Sequence, residues 1–209
     1  DDDLEADVSP VARGDQPVAV DGLQPAPSIH WSAKTGNASV CTTVADEARW
    51  VRDLFIGTLL SAASRKAALD PAQPVGYGWF KRPNSRFGEL AYSMNGRAPG
   101  FASFVLYLPR EDLTVVAFSN IYSSATTDIG YDIAAIALNL PHGDFRSAPL
   151  SAAALASTQG TFQFGSDFYQ KNAQLTIGPV QGALAMRWPG GDLSPLIPQS
   201  PYHFLDRSY

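Results

Sequence analysis

Apolar residues recur at helical spacing in two stretches of the chain and fall into short strand-like runs through most of the rest. The first helical stretch carries Trp50, Val51, Leu54, Phe55, Leu59 and Leu60 on one face. Thr43-Val44-Ala45-Asp46 lies just before it and has the Ser/Thr-x-x-Asp/Glu form of a capping box, so the predicted helix starts there. Gly57 weakens its end and Pro71 stops it. A second helix is predicted over about 127–140, with Ile129, Ile133, Ile136, Ala137 and Leu140 along one side and Pro141 as terminator. Between the helices the pattern is β. Val75 to Phe80 is a short aromatic-rich run, Pro83-Asn84-Ser85 is turn chemistry, and Phe87 to Tyr92 returns. Phe101 to Leu108 and Leu113 to Ser119 flank the polar turn Pro109-Arg110-Glu111-Asp112 and read as a hairpin. Both runs are almost free of charge, as strands covered on both faces are.

The flanks differ. Residues 1–42 are loop-rich, interrupted by Pro10, Pro17, Pro25 and Pro27. Residues 143–157 read as a Ser- and Ala-rich linker. From 158 to 209 short β segments alternate with Gly and Pro: Gly160 to Phe164, Ala173 to Ile177, Ala183 to Trp188, Leu193 to Ile197 and Tyr202 to Leu205. Such spacing predicts a small meander or barrel-like module.

Composition narrows the function classes. An apolar fraction of 45% and a charged fraction of 17% belong to a folded globular chain. The net charge is −5 and no basic run occurs, so nothing supports a nucleic-acid partner. The acids Asp1, Asp2, Asp3, Glu5 and Asp7 read as a solvated end. No stretch has the apolar length of a membrane span, and the start lacks the basic and apolar regions of a signal peptide. With acidic loop sequence at one end and strand-like His203–Tyr209 at the other, both ends are expected to be cut. The single cysteine, Cys41, excludes an intrachain disulfide and reads as a small buried residue. Its solitude fits a reducing compartment or a periplasm equally. His30, His142 and His203 show no metal-ligand spacing, and no phosphate loop is present, so no metal or cofactor is expected. His142 reads as a charge partner for the preceding helix end, and Asp167 and Asp192 as turn residues.

Three pieces, in order, resemble class C β-lactamase-like proteins. Gly36 to Trp50, ending in Asp46-Glu47-Ala48-Arg49-Trp50, is similar to the family's Asp-x-Ala-Arg-Trp helix start. Gly76-Tyr77-Gly78-Trp79 is similar to its Gly-x-Gly-Trp strand. Asn95-Gly96-Arg97-Ala98-Pro99-Gly100-Phe101-Ala102-Ser103, followed by Leu106–Pro109 and Val115–Asn120, resembles its Pro-Gly-Phe-x-Ser hairpin. The resemblance covers roughly residues 5–140. More weakly, Gly160-Thr161-Phe162 and Trp188-Pro189-Gly190-Gly191-Asp192 resemble the β-rich accessory domain that often follows these hydrolases.

The family's chemistry uses Ser-x-x-Lys, then Tyr- or Ser-x-Asn, then Lys/His-Thr/Ser-Gly. The serine attacks a carbonyl, the lysine and tyrosine manage the proton, and the third motif lies on an edge strand that aligns substrate and supplies an oxyanion N–H. No Ser-x-x-Lys occurs here: Trp31, Ala63, Gly78 and Phe168 stand three residues before Lys34, Lys66, Lys81 and Lys171. Ser93-Met94-Asn95 and Lys34-Thr35-Gly36 fit the other motifs in form only, in reversed order, and read as chance matches. Aligned on Pro99-Gly100-Phe101, the third motif falls at Met94-Asn95-Gly96, with the Arg97 N–H where the family places its oxyanion donor. Met94 carries no charge, so it is either a degenerate motif residue or an ordinary packing residue. The resemblance thus implies substrate-binding residues Met94, Asn95, Gly96 and Arg97, and no catalytic nucleophile.

The expected fold is α+β. The C-terminal part of a β-lactamase-like domain, an antiparallel sheet flanked by helices, would occupy 1–142, and a small β-rich module, truncated at its end, 158–209. The implied function is part of a serine hydrolase of the β-lactamase and penicillin-binding protein type, acting on an ester, amide or peptide; this chain alone is expected to be inactive. The alternative is a non-catalytic module of the same fold that binds peptide or cell-wall fragments. A third reading gives the β module a role in assembly. Expected partners are a small-molecule or peptide substrate and a partner chain or second copy that completes the core. By resemblance the location is periplasmic or secreted.

Overall fold

Thr43 starts the first helix by capping it. Its hydroxyl accepts from the Asp46 N–H at 3.1 Å and donates to the Asp46 carboxylate at 2.9 Å. Helix α1 (Val44–Ile56) buries Val51 and Leu54 and stops at Gly57. One continuous helix to Leu60 was expected, but the chain breaks at Gly57, and Ser61 caps a separate α2 (Ala62–Ala68). This is a computed structural model describing residues 12–18, 22–28, 36, 38, 40–69, 77–123, 125–143, 147–191 and 193–206.

Among the described residues the fold is α+β, with four helices and eleven strands in three antiparallel sheets. The loop-rich start contains a two-stranded ribbon, β1 (Asp15–Val18) with β2 (Gly22–Pro25). Pro17 and Pro25 are tolerated because both strands are edges. The main sheet has the order β3-β4-β5-β6. Its strands are β3 (Phe80–Asn84), β4 (Glu89–Ala98), β5 (Phe101–Leu108) and β6 (Leu113–Ser119). The last two have the predicted limits. The aromatic run ending at Phe80 differs: strand begins there and continues through Pro83, which an edge strand allows.

Helix α3 (Ala125–Ala137) packs on one face of this sheet and α1 on the other. On the α3 face lie Ala91, Phe104, Leu106, Leu108 and Val115, with Ala134 and Ala135 closing over them. On the α1 face lie Val105, Tyr107 and Trp79, against Val51, Leu54 and Leu69. Strand β5 feeds both clusters, which explains its unbroken apolar run. Helix α3 approaches closely at Gly130, where a Cβ would stand 2.1 Å from the Phe104 ring, so glycine there is a packing requirement.

A short helix, α4 (Ala152–Thr158), forms within the stretch expected to be a linker, capped by Ser151. Beyond it, β7 (Gly160–Gln163), β8 (Gln174–Val180), β9 (Ala183–Arg187), β10 (Leu193–Ser200) and β11 (His203–Asp206) form a five-stranded meander. The Ala148 N–H donates to Pro198 O at 2.7 Å and ties the connecting segment to it.

Arg86 staples the β3–β4 turn to the far end of α3. Its guanidinium pairs with Asp132 and donates to Pro141 O at 3.2 Å, while the Gly143 N–H donates to Asp132 at 3.0 Å. Burial pushes the Asp132 carboxyl up, but the hydrogen bonds from Arg86 and Gly143, with the Arg86 charge, outweigh it and hold the group below its ordinary value of 3.8. A depressed carboxyl stabilises the fold above its unfolded pKa, and that contribution is lost as pH falls through the folded value. Burial, then the Asp132 charge, push the neighbouring Asp128 up, which offsets part of the effect. Arg86→Ala is expected to cost about 3 kcal/mol at neutral pH, read as a lower urea midpoint at unchanged slope, with the deficit shrinking below about pH 3.8.

Candidate functional site: the open edge of β4

Strand β3 covers β4 only from Glu89 to Ser93, the last pair being Phe80 with Ser93. From Met94 to Ala98 that side of β4 has no strand partner among the described residues, while the other side pairs continuously with β5. On such an edge every second residue directs both its N–H and its C=O outward. Met94, Asn95, Gly96 and Arg97 all lie on this open stretch.

Their side chains do not converge. Met94 is half-buried and packs with the α1-side cluster beside Tyr92 and Val116. Gly96 faces the same way, because β4 alternates. A Cβ on Gly96 would stand 2.6 Å from Ser103 Oγ, so the hydroxyl occupies the space a side chain would take. Asn95 and Arg97 are exposed and belong to the opposite face. The Arg97 guanidinium lies 6.0 Å from the Tyr122 ring centre. The four residues are therefore united by their backbone edge, not by a side-chain constellation.

Two concavities flank this edge. A groove of about 500 Å³ on the α3 face is lined by Asn95, Ser93, Arg82, Phe104, Thr127 and Tyr131, among others. A smaller one of about 340 Å³ lies at the strand end, between Arg97, Pro99, Tyr122, Gln16 and Pro27. The first places a half-exposed tyrosine and polar groups beside the Asn95 amide.

The α1 face under Met94 is aromatic. Phe55 sits 5.1 Å from Trp79, 4.9 Å from Tyr92 and 4.2 Å from Tyr107, measured between ring centres. Burial pushes the Tyr92 hydroxyl above its ordinary pKa; burial, then the Asp112 carboxylate, do the same for Tyr107. Lys81, opposite Tyr92 on β3, is 5% exposed. Its ammonium donates to Leu69 O at 3.2 Å and lies 5.7 Å from the Tyr92 ring centre. Sequence reasoning missed this buried cation, although a lysine in an aromatic run is a visible signal.

The remaining candidates resolve simply. Ser93-Met94-Asn95 lies on β4. Cys41 is exposed, against the expectation of burial, because the segment before α1 lies at the surface. His142 follows α3, and its charge favours ionised Asp132. Asp167 is in a turn. Lys34, Thr35, Gly76, His30, Asp192 and the acids of residues 1–7 lie outside the described residues. Among the described residues no cluster of His, Cys, Asp or Glu could hold a metal, and no helix is long and apolar enough to cross a membrane.

The Beta-lactamase family model matches residues 3–139, well over half of the chain. The chain belongs to the Beta-lactamase family. The match ends at α3, so it contains the main sheet with both flanking helices and stops before the meander. No curated protein matches. A solved chain described as "Crystal structure of SurE" is similar at 15% identity and a TM-score of 0.49, covering 96% of this chain and 48% of that one. The chain thus spans about half the length of that solved chain.

The packing predicts different stability effects at neighbouring positions. Met94→Ala is expected to lower stability by roughly 1–2 kcal/mol, less than the cost of about 2–5 kcal/mol for a fully buried methionine, since Met94 is half-buried. Asn95→Ala is expected to stay within about 0.5 kcal/mol of the parent, being exposed. Urea titration of both variants checks the contrast.

Proposed function

We propose that residues 1–142 form part of a serine hydrolase of the β-lactamase and penicillin-binding protein type, nearest its class C branch. Such a protein cleaves an ester, amide or peptide through an acyl-enzyme. The observation that carries this reading is the open β4 edge, placed where the resemblance puts the family's third motif. A substrate in extended conformation would pair with Met94–Ala98 as an added strand. The Arg97 N–H is the oxyanion donor in this reading, and Asn95 contacts the substrate on the groove side. No Ser-x-x-Lys occurs within the 209 residues, so the nucleophile would come from outside them.

Met94 shapes the substrate class. The family's lysine or histidine would offer charge to a substrate carboxylate, whereas a thioether is only a weak acceptor. This favours a neutral ester or peptide over an anionic β-lactam. The same substitution supports a second reading, a non-catalytic module that holds peptide or cell-wall fragments along Asn95–Ser103. In either case the partners are a small-molecule or peptide ligand and a partner chain or second copy that completes the core. The proposed location is periplasmic or secreted.

Intact-protein mass after a fluorophosphonate probe, which acylates activated serines, tests the assignment. The 209-residue chain is expected to remain unlabelled. In a longer protein, one adduct on the serine of a Ser-x-x-Lys segment supports the hydrolase, and no adduct supports the binding module. An adduct on any serine of residues 1–209 would overturn the placement of the nucleophile.

A further inference from the structure

The loop between β7 and β8 is ordered by aromatic stacking as well as by its backbone. The Phe164 N–H donates to Ala173 O at 3.0 Å and closes it. Inside, the Phe168 N–H donates to Gly165 O at 3.2 Å and the Ala173 N–H to Gln170 O at 3.3 Å. Asn172, at φ 59°, turns the chain back toward β8. Four rings then form a row. Trp188 and Phe164 stand 6.3 Å apart at 15°, Phe164 and Phe168 3.8 Å apart at 8°, and Phe168 and Tyr169 4.4 Å apart at 42°. The inner end is anchored by the Trp188 Nε1–H, which donates to Ser194 Oγ at 2.9 Å, and Ser194 is fully buried.

The outer end is open. Trp188, Phe164 and Phe168 are half-buried, but Tyr169 is 88% exposed. Phe168 is the ring beside it, tilted at 42°, and most of the tyrosine surface faces solvent. Ser166, Asp167, Gln170 and Asn172 are exposed around it, and the loop's two charges, Asp167 and Lys171, cancel.

We propose that Phe164–Ala173 is a glycan-binding site that takes a neutral pyranose chain against Tyr169. The C–H face of a pyranose ring is apolar and weakly positive, and it stacks on the negative face of an aromatic ring. Its hydroxyls donate and accept at once, which planar amide and carboxylate groups such as those of Gln170, Asn172 and Asp167 match. The absence of net charge selects an uncharged sugar. A proline-rich peptide is disfavoured because it docks into an aromatic-lined groove, whereas a single ring is presented here. The site lies on the meander, away from the β4 edge, and stands whether or not the hydrolase reading holds.

The test is titration of the ¹⁵N-labelled chain with chitohexaose and, separately, cellohexaose. Amide shifts concentrated in Gly165–Asn172 are expected with at least one of them. Tyr169→Ala is expected to weaken that binding by about tenfold, and Tyr169→Phe to keep it within about twofold. The tyrosine is exposed, so neither variant should move the urea midpoint, which separates lost binding from lost folding. No loop shifts at saturating sugar, or shifts that survive Tyr169→Ala, would overturn the proposal. So would loop shifts produced by a polyproline peptide and not by either sugar.

Discussion

Phe104 to Leu108 of β5 are sealed from solvent on both faces of the main sheet. Phe104, Leu106 and Leu108 lie beneath α3, and Val105 and Tyr107 beneath α1. Each such side chain contributes roughly 1.5–3 kcal/mol by leaving water. This one strand therefore fixes where both helices sit and how β4 and β6 register against it. The small residues on α3 follow from it, because Gly130 meets the Phe104 ring and Ala134 and Ala135 close over the same cluster. The β4 edge follows too. Pairing with β5 holds Met94–Ala98 extended, while β3 pairing stops at Ser93 and leaves their other side without a strand partner among the described residues.

That arrangement gives the family membership a physical content. A site built on a strand edge recognises backbone first, and its side chains serve on either face. Met94 belongs to the packing of α1, while Asn95 and Arg97 belong to the exposed face. In the proposed reading, Met94 in place of the family's charged residue removes electrostatics without disturbing the edge. Hydrolysis and passive binding of an extended ligand both remain compatible with such a strand.

Much of the fold was legible in the sequence because local and tertiary signals agreed. The Thr43 cap, the β5–β6 hairpin and the even spacing of the C-terminal strands each declare themselves within a few residues. The break at Gly57 was harder, since Leu59 and Leu60 continue the helical period and only Ser61 as a second cap marks the change. The helix within 152–158 was missed because its alanines and serines carry no apolar stripe. Short β1 and β2 were hidden by their prolines. The resemblance proposes Met94 to Arg97 as substrate-binding residues, and their division between two faces depends on the register of β4 against β5. The burial of Lys81 depends on α2 and its Leu69 carbonyl, which no local pattern announces. Exposure of Cys41 likewise depends on the segment before α1 lying at the surface.

Amide hydrogen exchange across β4 and β5 tests the central claim most directly. The amides of Phe104 to Leu108 should be among the slowest in the chain, opening only with global unfolding. Within Met94 to Ala98, alternate amides should differ sharply, those bonded to β5 protected and those on the open side exchanging orders of magnitude faster. Uniform strong protection from Met94 to Ala98 would mean that the edge is already occupied, and the strand would not be available to a ligand.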